Sequence, residues 1–394
     1  MTRLLLAVAR LLVGGGVALT LLAAPDARAA VVSITDCSSD PFSSGATCDS
    51  ACTWDAANQR IECDMKDVCP SASGGVEAKA VTDAGYHWFH GQCRGDDVTE
   101  VCCRIADATS TDPRIVEFTM RGTDQADELR FSWSTLDLEH LDVNYPVTAV
   151  LLAEAGDDDV YGSRLDSYSD FREFLYGGTG RDFMKGLDGR DDITGGADGD
   201  FVDGGDDVDD IETNGSNDFV AGGGGGDNID THDGADYVCD GQVTSDPTRH
   251  STGNYFIFTG CSSSGSSGND VINTGEGNDR VWTFDGVDTI NLGDGNDWAD
   301  DTVANATMTG GNGDDVLCAG SASTATTSYL DGDAGTDLLL FYGTSPRWEL
   351  DGGTPTAGSE TDTCYPGTGD GSLSFVYDCD PSNVVLESCP APSN

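Results

Sequence analysis

Residues 177–239 read GGTGRDFMK, GLDGRDDIT, GGADGDFVD, GGDDVDDIE, TNGSNDFVA, GGGGGDNID and THDGADYVC, seven nonapeptides laid end to end without a gap. Position six is aspartate in every one: Asp182, Asp191, Asp200, Asp209, Asp218, Asp227 and Asp236. Position eight is apolar in every one: Met184, Ile193, Val202, Ile211, Val220, Ile229 and Val238. About a quarter of the stretch is aspartate, so filling one named phase seven times by chance has odds on the order of 10^-4. The rival reading is a solvated acidic tail. A tail gives no reason for an apolar residue two places after each phased aspartate, so the period is structural.

A second array starts at Gly265: GSSGNDVIN, TGEGNDRVW, TFDGVDTIN, LGDGNDWAD, a degenerate DTVANATMT, and GGNGDDVLC. Its position six holds Asp270, Asp279, Asp288 and Asp297, then Ala306, then Asp315. Single weaker copies place Asp127, Asp158 and Asp337 in the same phase. Glycine at positions one, two and four suits a sharp turn, because it accepts positive φ angles that other residues resist. The last three positions are expected to be extended, with the central side chain pointing inward.

The motif resembles the repeat-in-toxin, or hemolysin-type calcium-binding, family, whose fingerprint is G-G-x-G-x-D-x-U-x. The resemblance is strong over 177–239 and 265–318 and loose over about 122–340. It implies an all-β fold, a right-handed parallel β-roll or β-solenoid; the cysteine-rich stretch in front of it reads separately as an N-terminal disulfide-rich module. Two nonapeptides would make one coil, so same-side turns recur every 18 residues. One row is then Asp182, Asp200, Asp218 and Asp236, and the other Asp191, Asp209 and Asp227. The resemblance further implies a Ca2+ ion between successive same-side turns. A cation of that kind takes six to eight oxygens, which carboxylates and turn carbonyls would supply.

The expected metal ligands are therefore Asp182, Asp191, Asp200, Asp209, Asp218, Asp227, Asp236, Asp270, Asp279, Asp288, Asp297 and Asp315. The same-side pairs of the second array would be Asp270 with Asp288, Asp279 with Asp297, and Asp297 with Asp315. Ala306 would end the row that holds Asp270. Position four departs from glycine at Asp198, Asp207 and Ser216, where weaker binding or a side-chain oxygen is expected. One apolar side chain per nonapeptide is too little burial to order nine residues of glycine-rich backbone. Residues 177–318 are thus expected to fold only as the ion binds.

Outward from the arrays, the 394-residue chain carries 70 Asp and Glu against 19 Lys and Arg, a formal net charge of −51. Its only lysines are Lys66, Lys79 and Lys185. Such a chain repels nucleic acid and anionic membrane surfaces, and its natural partners are cations. Residues 1–29 read as a cleaved signal peptide: Arg3 and Arg10, an apolar run from Leu11 to Ala24, then Ala27-Arg28-Ala29. The run is short for a membrane span. Cleavage would leave a net charge of about −53 and a secreted protein, extracellular or on the cell surface, with no membrane span.

Eight of the 14 cysteines (37, 48, 52, 63, 69, 93, 102 and 103) lie in residues 30–104, which read as a disulfide module. Eight cysteines allow 105 pairings, and zinc held with His87 or His90 is the alternative. Residues 105–176 contain strand-like runs at Ile115–Met120 and Val147–Leu152 that lead into the solenoid. Residues 177–239 and 265–318 are the arrays, 240–264 the loop between them, and 319–394 a cap and tail. Cys239–Cys261 and Cys364–Cys379 are candidate staples.

No catalytic motif emerges. The chain has no H-E-x-x-H and no G-x-S-x-G. His232 falls at repeat position two and reads as a turn residue. His87 and His90 flank Trp88 and Phe89, a cluster that reads as a small core between disulfides or as a glycan- or protein-binding patch. Acidic pairs such as Asp157-Asp158 could mimic glycosidase carboxylates but carry little information in so acidic a chain. The reading is a secreted calcium-binding repeat protein with a structural or adhesive role, whose outside partner would be a glycan or a protein. The alternative is an enzyme acting on extracellular polysaccharide, with the solenoid as substrate platform.

Overall fold

A computed structural model of the chain describes residues 52–55, 60–65, 76–83, 86–93, 100–106, 117–133, 148–163, 172–243, 248–249, 256–257, 261–263, 268–284, 286–302, 306–320, 328–342, 348–353, 362–365, 375–377, 380–381 and 389–390. The segment read as a signal peptide lies outside the described residues, as do the cysteine pairings expected within 30–104 and that of Cys364 with Cys379. Every described element is a β-strand, most of them three to eight residues long and paired in parallel. The chain forms two compact units, 1–189 and 190–394.

In the first unit, Arg60–Asp64, Glu117–Arg121, Thr148–Leu152 and Arg172–Thr179 run parallel in one sheet. Val76–Asp83, Glu128–Trp133, Asp159–Tyr161 and Phe183–Asp188 run parallel in another. Antiparallel strands close the N-terminal ends: Cys52–Asp55 on the first sheet, Tyr86–Cys93 and Glu100–Ala106 on the second. Strands of the cysteine-rich stretch therefore share sheets with the coils that follow. Cys63 is disulfide-bonded, so it is no zinc ligand.

The second unit shows most plainly why nine-residue phasing makes a roll. Position-eight residues stack in two registers. One runs Ile193, Ile211, Ile229, Ile272, Ile290, Met308, Leu330 and Leu350. The other runs Val202, Val220, Val238, Val281, Ala299, Leu317, Leu339 and Cys364. All are buried. A strand turns alternate side chains to opposite faces, so one apolar residue per three-residue strand suffices when every coil repeats it in register. The residues from 240 to 267 leave this ladder and rejoin it without a slip: Ile229 pairs with Ile272, and Val238 with Val281. The two arrays are one stack with an excursion between neighbouring coils, and the expected Cys239–Cys261 disulfide closes the excursion.

Most turns take positive φ at positions two and four even where glycine is absent, with Phe284 and Thr302 at position two as exceptions. Position four has φ of 74° at Asp198, 77° at Asp207 and 91° at Ser216. At position two, His232 has φ of 66°, and its half-exposed side chain sits 3.3 Å from Glu212 and 3.6 Å from Asp230. Gly223 shows why glycine is preferred at position two. With φ of 106°, a Cβ there would also enter the backbone of Gly205 in the preceding same-side turn, 2.9 Å from its carbonyl carbon.

Candidate metal centre

Each position-six aspartate ends a turn and opens a strand, and its side chain points back into the stack of turns. The backbone N–H of one such aspartate donates to Oδ1 of the next on the same side. In the second unit, one column runs Asp200 to Asp218 (2.7 Å), Asp218 to Asp236 (2.8 Å), Asp236 to Asp279 (2.8 Å), Asp279 to Asp297 (2.8 Å) and Asp297 to Asp315 (2.8 Å). It continues through Asp337 to Asp362, at 2.9 Å per step. The opposite column runs Asp191, Asp209, Asp227, Asp270 and Asp288, with steps of 2.9, 2.9, 2.6 and 3.0 Å. In the first unit, Asp127, Asp158 and Asp182 form the same chain at 2.6 and 2.8 Å. All of these carboxylates are buried.

The relay uses one oxygen of each carboxylate. At Asp209, Asp218, Asp227, Asp236, Asp279, Asp288, Asp297, Asp315 and Asp337, the Oδ2 atom is buried and no hydrogen bond reaches it. A buried anion left half-satisfied is costly. Burial therefore pushes these groups well above the ordinary carboxylate range. Asp209 rises to about 9, Asp315 to about 8, Asp227, Asp279 and Asp288 to about 7, and Asp297 to about 6. The amide donated to Oδ1 works in the opposite direction, and neighbouring column members add repulsion, as Asp227 does on Asp209. Such a row of oxygens wants a hard cation, and a cation needing many oxygen ligands finds carboxylates and turn carbonyls here with no nitrogen or sulfur donor in the columns.

A second ladder, of neutral groups, holds the turns in register. Position-five side chains accept the position-five N–H of the next same-side turn: Asn217 from Ala235 (3.0 Å), Asn269 from Val287 (2.9 Å), Asn278 from Asn296 (2.8 Å) and Asn296 from Asp314 (3.0 Å). This is why Asn-Asp recurs at positions five and six of the second array.

Eleven of the twelve residues expected from the sequence lie in the two columns of the second unit, and Asp182 lies in the first unit's chain with Asp127 and Asp158. The structure adds the same-side pairs Asp227–Asp270 and Asp236–Asp279, which join the arrays across 43 residues. In each of these steps Oδ1 already accepts a backbone N–H from the neighbouring same-side turn. Asp158 belongs to a column, and its neighbour Asp157 faces Arg181 at 3.2 Å, so the pair is no glycosidase dyad.

Further carboxylates went unnoticed in the sequence. Glu173 stands nine residues before Asp182 and two before the buried Leu175, so it fills position six of one more nonapeptide. Its Oε2 accepts from the N–H (2.7 Å) and hydroxyl (3.1 Å) of Ser163, its Oε1 has no partner, and burial raises it to about 8. Asp362 carries no local repeat signal. Asp240 and Asp301 stand at position one.

The family model described as RTX calcium-binding nonapeptide repeat (4 copies) matches residues 168–202, 264–299 and 305–323. The first match begins with the nonapeptide that holds Glu173. Between the first two lie the turns with Asp207 and Ser216 at position four, which keep the columns although they depart from the motif. No curated protein matches the chain in sequence. With its parallel sheets and carboxylate columns around them, the chain carries RTX calcium-binding nonapeptide repeats over these matched residues.

Proposed function

We propose that Ca2+ ions sit between same-side turns, bound by the twelve position-six aspartates named from the sequence together with Asp337, and that they are what folds the roll. The observation that supports this most is the set of nine buried Oδ2 atoms without a partner, repeating at every coil. Adjacent strands lie about 4.8 Å apart, and two calcium–oxygen bonds of about 2.4 Å span that gap. When bound, the ion supplies positive charge to a column that is otherwise self-repelling. The protein's own residues set the spacing, exclude water and hold each carboxylate by its Oδ1.

The role that follows is structural or adhesive, in a secreted protein. The disulfides Cys239–Cys261 and Cys318–Cys389 point to an oxidising compartment. Export by the N-terminal segment completes the reading, since calcium is plentiful outside the cell. Among the described residues no helix is long and apolar enough to cross a membrane. A polysaccharide-acting enzyme would draw on the aromatic row Phe201, Phe219, Tyr237, Trp282 and Trp298, with ring centroids 4.7 to 5.9 Å apart. Phe201, Phe219 and Trp298 are buried, and the Trp298 indole donates to the Pro390 carbonyl at 2.8 Å. That favours a covered spine over a substrate platform.

Circular dichroism of the secreted chain, stripped of metal and then given millimolar calcium, tests the proposal. Strand signal should appear with calcium. An unchanged spectrum, with no calcium bound at equilibrium dialysis, would refute it.

A further inference from the structure

Position one of a turn faces the position-six carboxylate of its own turn. A Cβ placed on Gly195 or Gly204 would lie 2.5 Å from Oδ2 of Asp200 or Asp209, and on Gly222 2.6 Å from Oδ2 of Asp227. Glycine at these places keeps the oxygen's surroundings open. Two position-one residues of the shorter column carry carboxylates instead, and both lie beside its end. At Asp301 the position-six partner is Ala306, and Asp301 Oδ2 accepts the Ala306 N–H at 3.2 Å, so the turn keeps one carboxylate by moving it. At Asp240 the position-six partner is Asp270, and the turn carries two.

One carboxylate oxygen each from Asp240, Asp270 and Asp288 lies within 4.8 Å of the others, and all three residues are buried. Asp240 is fixed on its backbone, its N–H donating to the Trp282 carbonyl (3.0 Å) and its carbonyl accepting from Gly223 (2.9 Å). Its Oδ2 accepts the Phe284 N–H at 3.0 Å. Its Oδ1 has no hydrogen-bond partner although the residue is only 1% exposed, and Asp288 Oδ2 has none either. Asp240 is also where the chain leaves the ladder for the excursion closed by Cys239–Cys261.

We propose that Asp240, Asp270 and Asp288 form a three-carboxylate calcium site outside the repeat rule, binding more tightly than any two-aspartate pair of the roll. This rests on the reading of same-side turns as calcium sites. Ligand charge count is a main determinant of calcium affinity, and a third carboxylate at one turn makes this the point where an ion is held first. Its place at the foot of the excursion would tie the two arrays together at low calcium.

Isothermal titration of the full mature chain with calcium tests it, comparing wild type, D240N and D209N. Asn at 240 keeps an acceptor for the Phe284 N–H and removes the charge. Wild type should show one tight ion ahead of a weaker class. D240N should weaken that ion about tenfold or more and leave the weaker class in place, whereas D209N should keep the tight ion. D240N titrating like wild type, or D209N losing the tight ion equally, overturns the three-carboxylate site while leaving the roll's calcium reading intact. A wild type that binds no calcium overturns both. Should D240N fail to fold in saturating calcium, D240G, which restores the usual residue of the turn, replaces it, and a tight ion retained in D240G overturns the proposal.

Discussion

On the proposed reading, protons and calcium compete for the same buried oxygens, so acid should partly replace the metal. The perturbation is metal removal at two values of pH. Five column aspartates have a folded-state pKa well above the unfolded value: about 9 for Asp209, about 8 for Asp218 and Asp315, about 7 for Asp227 and Asp236. Between the unfolded value, near 4, and these raised values, the folded state holds protons that the unfolded state has shed. Stability from the protonated form is therefore fully present below about pH 4 and is lost as pH rises through 6 to 9. A rise of about three units at one site is worth roughly 4 kcal/mol at pH 8, and domains are stable by only about 5–15 kcal/mol. Two or three such sites, left ionised without metal, are enough to unfold the roll. Far-ultraviolet circular dichroism of metal-stripped protein from pH 4.5 to 8.5 should show strand at the acid end and its loss by pH 8. The calcium midpoint should move to higher calcium as pH falls. A metal-free protein equally folded at pH 5 and pH 8, with a calcium midpoint indifferent to pH, would sink the argument.

Three further perturbations separate turns from staples. Gly223→Ala forces a side chain at φ of 106° into the Gly205 backbone, and should destabilise the calcium-loaded protein by about 2 kcal/mol or more, read as a raised calcium midpoint. Ser216→Gly relieves an exposed side chain at φ of 91°. The gain of about 1–2 kcal/mol from removing that strain, less the roughly 0.5–1 kcal/mol that glycine's freedom costs, should raise the melting temperature slightly at saturating calcium. Replacing Cys318 and Cys389 by serine opens a loop closed over 71 residues and should cost about 4 kcal/mol; proteolysis in saturating calcium should then cut first within 319–394, and cleavage spread evenly over both units would speak against it.

The roll was legible because its signal is periodic: one aspartate and one apolar residue in a nine-residue phase specify both column and core. What the sequence hid were the places where periodicity stops while the geometry continues. Asp362 follows Asp337 by 25 residues, so no local repeat announces it, yet it accepts the Asp337 N–H at 2.9 Å. The excursion from 240 to 267 separates the arrays along the chain, but registry is a property of strands, and the strands on either side pair as though it were absent. Glu173 is in phase nine residues before Asp182, but its nonapeptide, YSDFREFLY, has no glycine to mark the turn. The role of asparagine at position five also escaped, since a side chain that bonds the next coil looks in sequence like any surface polar residue.

The two columns are unequal, and the inequality tells how the coils are held together along the second unit. One runs from Asp200 to Asp362; the other stops at Asp288, followed by Ala306 and the buried Ser328 at the same phase. Coils after Asp288 thus have position-six carboxylates on one side only. There the sequence changes chemistry. Asp301 moves a carboxylate to position one, Leu340 and Phe341 add buried apolar bulk beside the position-eight register, and Cys318 is tied to Cys389. The Trp298 indole bonds the carbonyl of the next residue, Pro390, at 2.8 Å. A polar column and a covalent staple solve the same problem, since each fixes a coil too small to bury its own core. Where ion-ready carboxylates run out on one side, packing and a disulfide take their place, so calcium dependence should grade along the unit, strongest around Asp209 to Asp288 and weakest towards the C-terminal coils.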